Sequence, residues 1–108
     1  MQTTSSHKES FGEIINGNTP VLVDFFAEWC RPCKLMKPVL EELHQRMGNK
    51  VRILKIDIDK SPAAAQALQI QSVPTLMLFQ NGKPLWRKSG VVQAMQLEKI
   101  IAQHASTN

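Results

Sequence analysis

The segment from Val21 to Ala27 constrains the fold of this chain more than any other. It reads Val-Leu-Val-Asp-Phe-Phe-Ala, so apolar side chains occupy both sets of alternating positions and only Asp24 interrupts them. Because successive side chains of a strand point to opposite faces of its sheet, both faces of this strand must be buried. Such a strand is typical of the centre of a parallel or mixed sheet that helices cover on both sides.

Helical and strand-like patterns alternate along the rest of the sequence. We expect a short helix ending at Gly17, and further helices near 32–47, 62–68 and 93–104. We expect strands at 21–27, 51–58, 73–79 and 85–88, with Asn81-Gly82 as the hairpin turn between the last two. Ser6 and Glu9 have the spacing of a capping box for the first helix.

This order of elements predicts an α/β fold. Its core is a central mixed β-sheet of four to five strands, flanked by helices on both faces. The length of 108 residues suits one domain, which we place at 9–108 after a flexible N-terminal segment at 1–8.

Composition excludes several classes of function. The chain has 13 basic and 9 acidic residues, a net charge of +4, and the basic residues form no long run, so we expect no nucleic-acid binding. No apolar stretch approaches the roughly 20 residues that span a bilayer. The first eight residues are polar and lack the apolar core of a signal peptide, so we expect a cytoplasmic protein. We also expect the protein to be a monomer.

Two cysteines, Cys30 and Cys33, lie where the predicted central strand leads into the long helix. In the first turn of a helix, positions i and i+3 have Cα atoms about 5–6 Å apart, so this pair can form and open a disulfide with little backbone movement. Unpaired N–H groups at the helix start should lower the pKa of Cys30 and make it the attacking thiolate. Cys33 should be the more shielded, resolving thiol. Pro32 suits the first turn because its missing N–H has no helical partner there.

Two other interpretations of the cysteine pair remain open at this point. A zinc site would need two further ligands, and the three histidines are scattered along a chain that has no second Cys-x-x-Cys. The pair could also be buried structural thiols.

The segment Val23 to Lys34, with Trp29 directly before Cys30-Arg31-Pro32-Cys33, resembles the active-site segment of thioredoxins. The resemblance continues in thioredoxin order through four further segments: Lys55-Ile56-Asp57-Ile58-Asp59, Val73-Pro74-Thr75, Phe79-Gln80-Asn81-Gly82 and Gly90.

The resemblance implies that Cys30 attacks a substrate disulfide and that Cys33 releases the reduced substrate. It also implies a cis peptide bond before Pro74, facing the cysteines. A shallow apolar groove for an extended substrate segment would be lined by Trp29, Ile58, Val73, Pro74 and Gly90, beside Arg31 and Pro32 of the motif. It implies no metal and no cofactor. The partners would be disulfide-containing proteins and an electron donor of the thioredoxin-reductase type.

Asp24 is a candidate catalytic residue on independent grounds. A carboxylate in a strand buried on both faces is costly to ionise, so its pKa should be raised and it can act as a general base near neutral pH. The resemblance implies that it takes the proton of Cys33 and that Lys55 tunes it. The alternative is that Asp24 only bonds to backbone groups or to Lys55 as a structural pair.

The sequence departs from the thioredoxin pattern at three places, of which one, Phe26 where many thioredoxins have a second tryptophan, is a packing change of similar volume. Arg31 stands where thioredoxins usually have glycine, and a cation beside Cys30 should stabilise its thiolate and raise the reduction potential. A fully solvated arginine would instead have little effect. The N-terminal residues have no apolar run after Met1, so the edge strand that opens the family fold should be short or absent.

Three functions follow from these residues. The first is a general protein-disulfide reductase that carries electrons. The second is a disulfide oxidant or isomerase on the same fold outside the cytoplasm, which Arg31 makes conceivable. The third is a redox-independent binding module, against which the intact cysteine pair, Asp24 and Val73-Pro74 argue.

Overall fold

The computed structural model describes residues 9–106, so the segment predicted to be flexible, 1–8, lies outside them. The helices are α1 (Phe11–Ile15), α2 (Arg31–Met47), α3 (Pro62–Ala67) and α4 (Ala94–His104), with one 3-10 turn at Gly48–Lys50. The strands are β1 (Val21–Phe26), β2 (Arg52–Asp57), β3 (Thr75–Gln80) and β4 (Lys83–Ser89). The predicted α/β order of elements is confirmed.

The described strands form one mixed sheet in the order β2-β1-β3-β4. β1 pairs with β2 in parallel and with β3 in antiparallel orientation, so it lies inside the sheet as its two-sided apolar pattern predicts. β3 and β4 form the predicted hairpin, with Asn81 and Gly82 at φ angles of 54° and 79°. Two consecutive residues at positive φ match the turn type that suits the twist of a hairpin.

Helices pack against both faces of the sheet, which confirms the predicted layers. On one face, Leu22, Leu76 and Leu78 pack against apolar side chains of α2 and α4. On the other, Phe25 and Phe79 pack with α1, where the ring of Phe11 lies 6.5 Å and 5.7 Å from theirs. The alternation of side chains along β1 and β3 divides the core between these two faces.

Several local predictions differ from the structure at the ends of elements. The first helix is capped by Ser10 and Glu13, which bond to each other's backbone N–H groups in a capping box. This helix is therefore not capped at the expected position, and Ser6 itself lies outside the described residues. Both serine positions satisfy the same spacing rule, and only the position of the helix in the fold distinguishes them. Ser61 stands at the cap position of α3 but makes no side-chain capping bond.

The long helix α2 remains one element despite its internal proline. Pro38 lies inside it, and the helix ends at Gly48, whose φ of 55° is readily adopted by glycine. Its inward side is an apolar stripe at helical spacing, which includes the buried residues Met36, Val39, Leu40 and Leu43. Within residues 9–106, the structure contains no helix with both the length and the apolar character that a membrane span requires.

The packing of β3 against α2 and α4 generates a stability prediction. Leu78→Ala should lower the free energy of unfolding by about 2–5 kcal/mol, because the side chain is completely buried and its removal leaves a cavity. Leu35→Ala is the matched control, since Leu35 is 58% exposed and the change should alter stability by about 0.5 kcal/mol or less. Urea unfolding of the disulfide form measures both variants, and equal losses would contradict this view of the core.

Candidate active site

The cysteine pair forms a disulfide at the start of α2. The two Cα atoms are 5.3 Å apart, as the spacing predicts. Cys30 is the residue that caps the helix, and its Sγ accepts a hydrogen bond of 3.2 Å from the backbone N–H of Cys33. Arg31 and Pro32 fill the first two helical positions, where the missing N–H of proline leaves no partner unsatisfied. The sulfur of Cys30 therefore lies where the helix end favours negative charge.

The two cysteines do not differ in exposure in the disulfide form. Cys30 is 3% exposed and Cys33 is 5% exposed, so the expectation that Cys33 is the more shielded is wrong for this form. Both residues belong to one small apolar cluster, which explains why they are buried alike. The two cysteines differ instead in their position on the helix, because the Sγ of Cys30 accepts a hydrogen bond from the backbone N–H of Cys33 in the first turn of α2.

Residues from three loops surround the disulfide. Ile58 and Val73 pack against the cluster that the cysteines form with Ala27. The Sγ of Cys30 lies 3.5 Å from the carbonyl oxygen of Val73. The peptide bond between Val73 and Pro74 is cis, as the resemblance implies.

Gly90 fixes the loop on the far side of Pro74. Its backbone N–H donates a 2.8 Å hydrogen bond to the carbonyl oxygen of Pro74, and its φ of 102° lies in the region that favours glycine. The loop after β4 is thereby tied to the loop before β3. The structure thus brings the sequence-predicted groove residues Val73, Pro74 and Gly90 together at one end of the sheet.

Trp29 stands at the rim of the site, with 70% of its surface exposed. Its indole Nε1–H donates a 2.9 Å hydrogen bond to the Asp59 carboxylate. Asp59 is itself placed by a turn after β2, where its backbone N–H donates to Oδ1 of Asp57 at 2.9 Å. Sequence reasoning did not single out Asp59. One sequence signal could have identified Asp59. It follows a strand parallel to β1, and Trp29 follows β1 itself, so the two residues lie at the same edge of the sheet, where the carboxyl ends of parallel strands meet.

Asp24 lies in the middle of β1 and is completely buried. Neither of its carboxylate oxygens has a hydrogen-bond partner among the described residues 9–106. Burial raises the pKa of Asp24 from 3.8 to about 6, against an opposing effect of the Lys55 charge. The structure therefore shows no hydrogen-bonded structural pair at Asp24, and burial acts on its pKa in the direction that the sequence predicts.

The alternation of side chains along β1 places Asp24 on the side of α2. Its neighbours in the same alternating set are Leu22, which packs in the cluster with α2 and α4, and Phe26, which packs against the cysteines. Lys55 is paired with Asp24 in the β1–β2 register, but its Nζ lies over the ring of Phe26, 4.8 Å from the centroid. Lys55 thus affects Asp24 through its charge, without a direct ion pair.

Arg31 is exposed at the first position of α2. It forms no ion pair with a carboxylate in the part of the chain that the structure describes. Its guanidinium is therefore held by no acidic side chain next to the disulfide.

Comparison with known proteins agrees with this geometry. The thioredoxin family model matches residues 2–103. This chain belongs to the thioredoxin family. A thioredoxin-like protein of Synechocystis is 49% identical over 89 residues, which are 82% of this chain and 85% of that protein.

Two further thioredoxin relatives are informative. A bifunctional thioredoxin reductase/thioredoxin of Mycobacterium leprae is 45% identical over 74% of this chain, which spans only 18% of that longer protein. The crystal structure of the oxidized mitochondrial thioredoxin 3 of Saccharomyces cerevisiae superimposes with a TM-score of 0.77 and 35% identity, covering 86% of each chain. The chain is thus a thioredoxin-like thiol–disulfide oxidoreductase with protein-disulfide reductase activity. The open alternatives of a zinc site and of inert structural thiols are not favoured.

The unpartnered carboxylate of Asp24 generates a prediction about pH and stability. The folded-state pKa of about 6 lies above the ordinary 3.8, so ionisation of Asp24 opposes folding. This destabilisation is absent below pH 3.8, grows as the pH rises through 6, and is complete above that value. The shift corresponds to about 3 kcal/mol.

Asp24→Asn removes the charge and keeps the shape. We expect this variant to be more stable than the wild type by about 3 kcal/mol at pH 8, with the difference vanishing near pH 4. Urea unfolding of the two disulfide forms across this range measures it. A stability difference that is the same at pH 4 and pH 8 would contradict the assignment.

Proposed function

We propose that this thioredoxin-family chain works as a general electron carrier that reduces disulfides in other proteins. The observation that carries the proposal is the position of Cys30, which caps α2, accepts the N–H of Cys33 and is joined to Cys33 by a disulfide. The same backbone N–H that contacts the sulfur in the disulfide form would stabilise a thiolate in the reduced form.

The reaction proceeds in two exchanges. In the first, the Cys30 thiolate attacks one sulfur of a substrate disulfide, the substrate bond breaks, and its other sulfur leaves as a thiolate that takes up a proton. In the second, the Cys33 thiol loses its proton, its thiolate attacks the sulfur of Cys30, the mixed disulfide breaks, and the second substrate sulfur leaves as a thiolate that takes up a proton. Two electrons pass to the substrate, and the Cys30–Cys33 disulfide is formed.

Asp24 is the base that we assign to the second exchange. Its pKa of about 6 leaves the carboxylate mostly ionised at neutral pH, yet basic enough to accept the proton of a thiol. It lies on the face of β1 that α2 covers, and no hydrogen bond in the described chain occupies its oxygens. Lys55 tunes that basicity, because its charge lowers the pKa of Asp24.

The groove around the disulfide holds the substrate in this proposal. Ile58 and Val73 give the disulfide an apolar surround, and the exposed Trp29 ring forms one rim. Arg31 and Pro32 would contact the substrate from the start of α2, and Pro74 and Gly90 from the opposite loops. An extended segment carrying a disulfide can cover such an apolar surface and bring its sulfur to Cys30.

The electron donor would be an enzyme of the thioredoxin-reductase type. The Mycobacterium leprae relative, which combines a thioredoxin reductase and a thioredoxin, supports this pairing. We also propose that the protein acts in the cytoplasm, because a protein-disulfide reductase must itself be kept reduced. We propose further that it is a monomer.

Substitution of each cysteine tests the assigned order of attack. Cys30→Ser should abolish reduction of insulin disulfides, because the nucleophile is gone. Cys33→Ser should retain the first exchange and accumulate mixed disulfides on Cys30, which mass spectrometry of proteins captured on the immobilised variant identifies. Wild-type chain on the same support is the control. Failure of Cys33→Ser to retain any disulfide-linked protein would contradict the electron-carrier proposal.

Arg31 is expected to shift the balance of this reaction. A cation next to the Cys30 thiolate stabilises the reduced form, so the wild-type potential should exceed that of Arg31→Gly by roughly 10–20 mV. Arg31→Gln separates the loss of charge from the backbone freedom of glycine, and Lys83→Gln removes a charge at the hairpin, at the other end of β3. Equilibration with glutathione measures all four proteins. Equal potentials, or a lower one for the wild type, would contradict the role of Arg31.

A further inference from the structure

The first two turns of α2 carry charge of the sign that the helix disfavours. The first turn contains no acidic residue, and Arg31, Lys34 and Lys37 follow one another at intervals of three from the first helical position. Backbone N–H groups already make this end of the helix positive, so cations are destabilising here and acids would be stabilising. The acids of α2, Glu41 and Glu42, come only at its eleventh and twelfth residues.

These three cations also lack acidic partners within the described fold. Each is exposed, and none forms an ion pair with a carboxylate of residues 9–106. We call the surface of Arg31, Lys34 and Lys37 the basic face.

Three other cations of the chain, all arginines, are engaged by neighbouring groups. Arg46 is paired with Glu42 and Glu98, and Arg52 with Glu9. Arg87 donates to the backbone carbonyl oxygens of Leu68 and Gln69. The fold engages these three arginines, whereas Arg31, Lys34 and Lys37, like the lysines of the hairpin, form no ion pair within residues 9–106. What distinguishes the basic face is its position, because it begins at the residue after Cys30.

The basic face is continuous with the apolar rim of the redox site. Arg31 directly follows Cys30, and Leu35, between Lys34 and Lys37, is 58% exposed. Acidic and basic groups are mixed on the side of β2, where Asp59 accepts from the indole of Trp29 and the exposed Lys60 follows it. Along the start of α2, by contrast, the charged side chains from Arg31 to Lys37 are all cations.

We propose that the basic face selects disulfide-bearing protein segments with acidic side chains beside the target cysteine. This inference rests on the proposed reductase function and adds the class of substrate. From Arg31 to Lys37 the helix rises about 9 Å, which an extended chain spans in roughly three residues. The acidic side chains should therefore lie within about three positions of the cysteine that reacts with Cys30. Opposite charges steer the encounter and fix the orientation of the segment.

Two synthetic peptide disulfides test this selection. They are identical except that three residues next to the target cysteine are glutamate in one and lysine in the other. The second-order rate of oxidation of the reduced wild-type chain should be greater for the glutamate peptide, on the order of tenfold at ~0.01 M ionic strength. At ~1 M salt, where charges are screened beyond about 3 Å, the two rates should converge.

Charge reversal on the basic face is the second part of the test. The double variant Lys34→Glu, Lys37→Glu should reverse the order of the two peptides. It should also unfold at a higher urea concentration than the wild type, because acids replace cations near the positive end of α2. Lys83→Glu is the control, since it changes the charge of an exposed lysine at the distant hairpin and should preserve the preference for the glutamate peptide.

The outcomes separate this inference from the function on which it rests. Equal rates for the two peptides at low salt, a preference that survives ~1 M salt, or the same loss of preference in Lys83→Glu would each contradict the basic face. A reduced chain that neither peptide oxidises would instead contradict the proposed oxidoreductase function.

Discussion

The position of the disulfide depends on the burial of β1 on all four sides. Its edges are hydrogen-bonded to β2 and β3, and apolar clusters cover its two faces. A strand enclosed in this way has little freedom to shift along its axis, since a slip of one residue would exchange its two faces. The carbonyl oxygens at its end then anchor the loops of the redox site. That of Phe26 accepts the N–H of Ile58, and that of Ala27 accepts the N–H of Cys30.

The same enclosure explains the chemistry assigned to Asp24. A carboxyl group with no hydrogen-bond partner in the described chain is destabilising once it ionises, and the surrounding leucine and phenylalanine packing must offset that cost. A residue that opposes folding while lying on the face that α2 covers is easier to understand as a proton acceptor than as a structural element. The cations Arg31, Lys34 and Lys37 fit the same pattern. They too lie beside the disulfide at a position that is locally unfavourable, because the N-terminal end of α2 favours negative charge.

Much of the fold and part of the site could be predicted from the sequence. The two-sided apolar pattern of β1, the stripe of α2 and the Asn81-Gly82 turn each express one local rule, and the structure agrees with them. The rest depended on tertiary contacts that no local pattern contains. Both Ser6 and Ser10 satisfy the capping rule, and the contact between Asp59 and Trp29 joins residues 30 positions apart. The nearly equal burial of the two cysteines results from the loop cluster around them, which their spacing does not encode.

The central claim is that the start of α2 activates Cys30 and leaves Cys33 as the resolving thiol. Alkylation of the fully reduced chain across a range of pH, with peptide mapping of the modified cysteine, tests it most directly. Cys30 should react first, with a rate that follows an apparent pKa below the free-thiol value of about 8.5, while Cys33 reacts slowly. Modification of Cys33 before Cys30, or equal rates that both follow an ordinary thiol pKa, would contradict the account.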